Sequence, residues 1–180
     1  MTCSFAFQIK YKKMRKLQLL FALMLSSIFA FAQNKDVVDI AIGSKDHTTL
    51  VVAVKAAGLV ETLKGDGPFT VFAPTNAAFN KLPKGTVESL LQPESKEGLT
   101  NILTYHVVAG KWDAASILKA IKDGKGTAKL TTVNGAILTA SLKGKSVILV
   151  DAKGNKSTVL VTDLNGSNGI VHVIDTVLLP

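Results

Sequence analysis

The sequence predicts an α+β fold, with helices in the first half and antiparallel strands in the second. Apolar residues recur at helical spacing in several segments before Ile121, and short strand-like runs joined by turns fill the chain after it. Asn134-Gly135, set between two of those runs, is the strongest short hairpin signal in the chain. Helices and hairpins that are segregated rather than alternating argue against a parallel α/β sheet.

The chain opens with the three parts of a secretory leader. Lys10, Lys12, Lys13, Arg15 and Lys16 form a positive region, an apolar stretch runs from Leu17 to Phe31, and Ala30-Phe31-Ala32 is a small-x-small cleavage pattern. Cleavage between Ala32 and Gln33 is therefore expected, giving a leader over 1–32 and one domain over 33–180. The apolar stretch is shorter than the roughly 20 residues a membrane span needs. A secreted, extracellular or periplasmic protein with no span after cleavage follows.

The elements are then read in order. Asp36–Ile42 fits a short helix ended by Gly43, and Asp46 is placed to cap a second helix through Ala57, stopped by Gly58. Gly65–Pro68 reads as a loop and Phe69–Ala73 as a strand, ended by Pro74. Thr75 or Asn76 can cap a helix that would bury Phe79 and Leu82. Thr86–Leu91, Glu94–Tyr105 and Asp113–Ile121 read as further helices, the last capped by Asp113. Strands are expected at Ala128–Val133, Ala136–Leu142, Ser146–Val150, Ser157–Val161 and Ile170–Ile174.

The leader takes much of the charge with it. The full chain has 21 Lys+Arg against 13 Asp+Glu, a net charge of +8, but the part after residue 32 keeps 16 bases against 13 acids. Its bases are all Lys, because Arg15 is the only arginine. Without the planar guanidinium fork, base-edge and phosphate reading is disfavoured, so nucleic acid is not an expected partner. Cys3 is the only cysteine and also lies in the leader, which removes disulfides and thiolate metal sites.

The remaining sequence points away from catalysis. His47, His106 and His172 show no metal-ligand spacing, and there is no Gly-x-Ser-x-Gly elbow. A hydrolase would need a Ser or Thr hydroxyl beside one of these histidines. His172 and Asp175 stand three apart in a strand, on opposite faces. No enzyme activity, cofactor or metal is expected.

Three segments together resemble the fasciclin domain family. Phe69–Phe79 followed by Leu82-Pro83 is similar to its first homology block. Leu103–Gly110 carries its Tyr-His signature at Tyr105 and His106, and Asn168–Pro180 is similar to its closing block. Asp46–Val60 also looks like the family's opening helix, so the resemblance covers about 36–180. It implies a wedge of antiparallel strands, in two packed sheets, with helices around it.

The leader reads as that of a bacterial, secreted single-domain protein, and the resemblance implies an interaction protein that binds an extracellular or envelope protein or a polysaccharide. In animal members, residues near the Tyr-His signature and an Asp-Ile motif before the final strand are linked to integrin binding. Tyr105 and His106 match the first, and Asp163-Leu164 matches the second in part, with Leu for Ile. Val161-Thr162 departs from the polar pair that precedes that motif. The candidate interaction residues are thus Tyr105, His106, Asp163 and Leu164. Read from the residues alone, Tyr105 and His106 form a buried pair with hydrogen-bonded polar tips. The apolar composition motivates an alternative, a carrier of a small apolar ligand or lipid.

Overall fold

The computed structural model describes residues 35–180. The expected leader and its Ala32/Gln33 cleavage point lie outside the described residues. Helix α1 (Val37–Ile42) starts with reciprocal capping, the Asp36 carboxylate accepting from the Asp39 N–H at 2.8 Å and the Asp39 carboxylate accepting from the Asp36 N–H at 3.3 Å. Helix α2 (Thr48–Ala57) corrects an expectation, since Asp46 does not cap it. Ser44 caps a short 3-10 turn at Lys45–His47 instead, accepting from the Asp46 N–H at 3.3 Å. A tertiary contact fills the vacant role: the Asn76 side-chain oxygen accepts from the Thr49 N–H at 3.0 Å. Gly58 ends α2 at φ +74, a left-handed conformation that glycine adopts readily and other residues rarely. Helix α3 (Val60–Lys64) follows.

Strand β1 (Phe69–Pro74) leads into helix α4 (Asn76–Asn80), which Thr75 caps by accepting from the Ala78 N–H at 3.2 Å. This helix buries Ala78, whereas Phe79 and Leu82 are only half-buried, because it ends before Leu82 can join its inner face. Helix α5 (Thr86–Leu90), helix α6 (Lys96–Tyr105) and helix α7 (Ala114–Asp123) complete the helical part. Asp113 caps α7 through the Ser116 N–H at 2.7 Å. Strand β2 (Val107–Ala109) was not foreseen, being three residues long and directly joined to α6.

Strands β3 (Thr127–Thr131), β4 (Ile137–Lys143), β5 (Ser146–Val150), β6 (Lys156–Asn165) and β7 (Gly169–Ile174) follow as hairpins. The sheet order is β2-β1-β7-β6-β5-β4-β3. All neighbours are antiparallel except β1 and β7, which run parallel with Phe72 opposite His172. One parallel pair thus joins the antiparallel strands that the sequence predicts. The reason is topological: the whole chain between β1 and β7 acts as the crossover that a parallel pair requires.

The two packed sheets share β6, whose start pairs with β5 and whose remainder pairs with β7 through two register shifts. At the far ends Val108 bridges Thr132, and the Val133 N–H donates to the Val107 carbonyl at 2.8 Å, so the sheet rolls towards closure. One core fills the inside of the roll, with Phe72, Leu130, Leu138, Leu149 and Ile174 packed under α7. A second core lies between helices α1, α2 and α6 and the outer face of β1 and β7, including Ala73, Leu103 and Val171. Strand β7 therefore has apolar cover on both faces, with Ile174 in the first core and Val171 in the second.

Candidate functional site

The Tyr-His signature sits at the end of α6, in the interior. Tyr105 is fully buried; its hydroxyl accepts from the Ala152 N–H at 3.1 Å and donates to the Ile137 carbonyl at 3.4 Å. His106 is buried as well, with Nδ1 at 2.8 Å from the Ile102 carbonyl and Nε2 accepting from the Leu178 N–H at 3.1 Å. Those two partners define a neutral ring, Nδ1 carrying the proton. Burial holds the His106 pKa below its ordinary value and raises that of Tyr105.

Asp163 and Leu164 lie on the irregular half of β6. Asp163 adopts φ +61, in the left-handed region that Asp tolerates better than most residues. Its carboxylate accepts from the Ala114 N–H at 2.8 Å, at the start of α7, and its own N–H donates to His172 Nδ1 at 3.3 Å. The other His172 nitrogen, Nε2, donates to the Trp112 carbonyl at 2.7 Å. Leu164 packs half-buried against the second core.

The two candidate pairs are joined only indirectly. The His106 carbonyl accepts from the Phe72 N–H at 2.9 Å, the Phe72 ring stacks on His172 at 5.5 Å between centroids, and His172 accepts from Asp163. This relay links all three of the segments that carry the family resemblance. Sequence reasoning missed it, because its members are distant in the chain and the contacts run largely through backbone groups.

The described residues contain one Ser–His approach, Ser44 Oγ to His47 Nδ1 at 2.8 Å. The same hydroxyl serves as a cap for the Asp46 N–H, and the ring is buried with no hydrogen-bond partner on Nε2 to orient it. No group of three or more His, Cys, Asp or Glu able to hold a metal occurs among the described residues.

A different feature opens on the helical side. Helices α1, α2 and α3 stand off the β1–β2 edge and leave an apolar cleft of about 70 Å3. Val38, Val54, Leu63 and Leu103 line it, and His106 forms part of the wall while both of its nitrogens are engaged elsewhere. Ile42 and Val133 border it and remain 51% and 48% exposed. Neither stood out in the sequence, where each is one apolar residue at the end of an element.

The Fasciclin domain family matches residues 45–180. The chain belongs to the fasciclin domain family. Among its fasciclin relatives is Protein sll1483 of Synechocystis, 50% identical over 80% of this chain and 73% of its own length. Immunogenic protein MPB70 of Mycobacterium bovis is 38% identical over 78% of this chain and 66% of its own. The transforming growth factor-beta-induced protein ig-h3 of Sus scrofa is 41% identical over 80% of this chain, which spans only 19% of that protein. The fold is similar to a fasciclin domain pair from the insect cell adhesion molecule fasciclin I, with a TM-score of 0.59 and 23% identity. The likeness covers 72% of this chain and less than half, 43%, of that one. Seven strands with helices packed around them, in a near-barrel wedge, are thus the fasciclin fold. No helix of the described residues is long and apolar enough to cross a membrane.

Proposed function

We propose that this fasciclin protein is an exported, non-catalytic interaction domain that binds proteins or polysaccharide at the cell surface or in the matrix. The cleft beside the Tyr-His signature carries the reading. Its wall is apolar, its rim exposes Ile42 and Val133, and the histidine next to it has no free nitrogen to do chemistry. An apolar recess with an exposed apolar rim suits side chains of a partner protein. Fasciclin I, similar in fold, is a cell adhesion molecule, which supports the same reading. Tyr105, His106 and Asp163 then act from beneath, by holding the surface in shape.

The carrier alternative has the apolar lining in its favour and the volume against it. At about 70 Å3 the cleft is well below the roughly 300 Å3 at which small-molecule sites begin.

The test is retention of the purified protein on native cell envelope, whole cells and extracellular matrix. Ile42→Asp and Val133→Asp are each expected to lower retention at least about tenfold with little change in melting temperature, as both side chains are half exposed. No retention on any of the three materials refutes the proposal. Export is checked separately by the N-terminus of the protein recovered outside the cytoplasm, expected at Gln33.

A further inference from the structure

Positive charge in this chain is concentrated in one stretch. From Lys119 to Val150 there are six lysines and a single acid, Asp123, whereas residues 35–100 carry seven lysines against eight acids. The fold gathers the first stretch further. Helix α7 ends at Asp123 with Lys122 in its last turn, and the chain reverses through Lys125 into β3. Thr127 pairs with Ser141, so the same antiparallel register brings Lys125 towards Lys143, which flanks the β4–β5 turn with Lys145. Lys122, Lys125, Lys143 and Lys145 thus share one end of the sheet. All four are exposed, and none has an ion pair or a side-chain hydrogen bond among the described residues.

Backbone conformation at Lys125 is a second, independent sign. It holds φ +56, in the left-handed region, at a helix exit where glycine is the ordinary choice. Its neighbours Gly124 and Gly126 are glycines, and the Gly126 N–H still closes the helix on the Ile121 carbonyl at 2.8 Å. A side chain kept at a position that disfavours side chains points to a use for that side chain. Lys122 also complements the carboxyl end of α7, but that does not account for a strained lysine one turn on.

We propose that this lysine end binds an acidic polysaccharide bearing carboxylate or sulfate groups. The chemistry selects this class of polyanion. Lysines are strongly hydrated point charges suited to spaced anionic groups, and the described chain has no arginine fork for phosphate. The stretch from Lys119 to Val150 contains no aromatic residue, so it offers neither a stacking platform for bases nor an interfacial anchor for a bilayer. The site rests on the proposed export and adds a surface made of other elements than the cleft.

The experiment compares binding of the protein to immobilised alginate and heparin, with neutral dextran as a blank and phosphatidylglycerol vesicles as a competing surface. Wild type is expected to bind both acidic polymers, with affinity falling steeply as salt rises. Replacing Lys122, Lys125, Lys143 and Lys145 together by Gln should lower affinity by about tenfold or more. Replacing Lys35, Lys45, Lys84 and Lys96 together by Gln removes as much charge elsewhere and should change it less than about twofold. Lys125→Gly should weaken binding while raising the melting temperature, a pairing that misfolding cannot produce. Equal loss in the two quadruple variants overturns the proposal, as does binding to vesicles without binding to either polymer. Retention on native envelope with no binding to acidic polymers overturns this site alone, while loss of both overturns the interaction role too.

Discussion

His106 stands where the last turn of α6, the cleft wall and the C-terminal segment meet, and its ring accepts or donates on both sides. His106→Ala would leave the Leu178 N–H and the Ile102 carbonyl without their partner in a dry site, and should cost about 3 kcal/mol. Tyr105→Phe removes the acceptor of the Ala152 N–H and should cost about 1–2 kcal/mol. Urea unfolding measures both, and wild-type stability in His106→Ala would remove the pillar role argued for the signature. Asp163 gives a sharper contrast. Asp163→Asn keeps both an oxygen for the Ala114 N–H and tolerance of φ +61, so it should cost less than about 1 kcal/mol, while Asp163→Ala should cost about 2 kcal/mol. Equal costs would show that the carboxylate oxygen does not anchor α7.

At the scale of elements, the parallel β1–β7 pair is the joint of the molecule, since it divides the two cores. Gly169 begins β7 opposite Phe69, and a Cβ there would collide with the Phe69 carbonyl and crowd Val37. Gly169→Ala should therefore cost about 2–3 kcal/mol, read as a lower urea midpoint, whereas Gly144→Ala meets no neighbouring atom and bears only its positive φ. A Gly169→Ala variant as stable as wild type would mean the pair can part without loss. Most elements were legible because their signals are local: the Thr75 and Asp113 caps, the Gly58 stop and the Asn134-Gly135 hairpin. Strand β2 was not, because three residues carry no periodicity and its pairing to β1 alone makes it a strand. The Asp46 cap failed for a related reason, as Asn76 supplied a better acceptor from elsewhere in the fold.

For the whole molecule, acid should weaken the fold in two stages. Burial holds both His47 and His106 below their ordinary 6.5. The unfolded chain takes up protons near 6.5 before the folded one does, so this part of the stability is complete above that pH and is lost as pH falls towards the folded values. Burial pushes Asp36, Asp151 and Asp175 up, but hydrogen bonds outweigh it and keep each below 3.8. Their contribution is present above 3.8 and is lost below it, as pH falls through their lower folded values. The urea midpoint should decline first below pH 6.5 and again below 3.8, and a midpoint that rises between pH 7 and 5.5 would contradict the first stage.

The sequence by itself determined the α+β class and the resemblance to fasciclin domains, because caps, hairpin turns and strand composition act over a few residues. It also singled out Tyr105, His106, Asp163 and Leu164. Only the tertiary structure decided what those residues touch: two are sealed in the core, one anchors a helix start, and one packs on the outer core. The cleft was invisible because its side chains, from Val38 to Val133, are far apart in the chain and only the helices packed on the sheet bring them together. The lysine-rich stretch stands in the sequence, but only the hairpin register and the end of α7 put Lys122, Lys125, Lys143 and Lys145 at one end of the sheet.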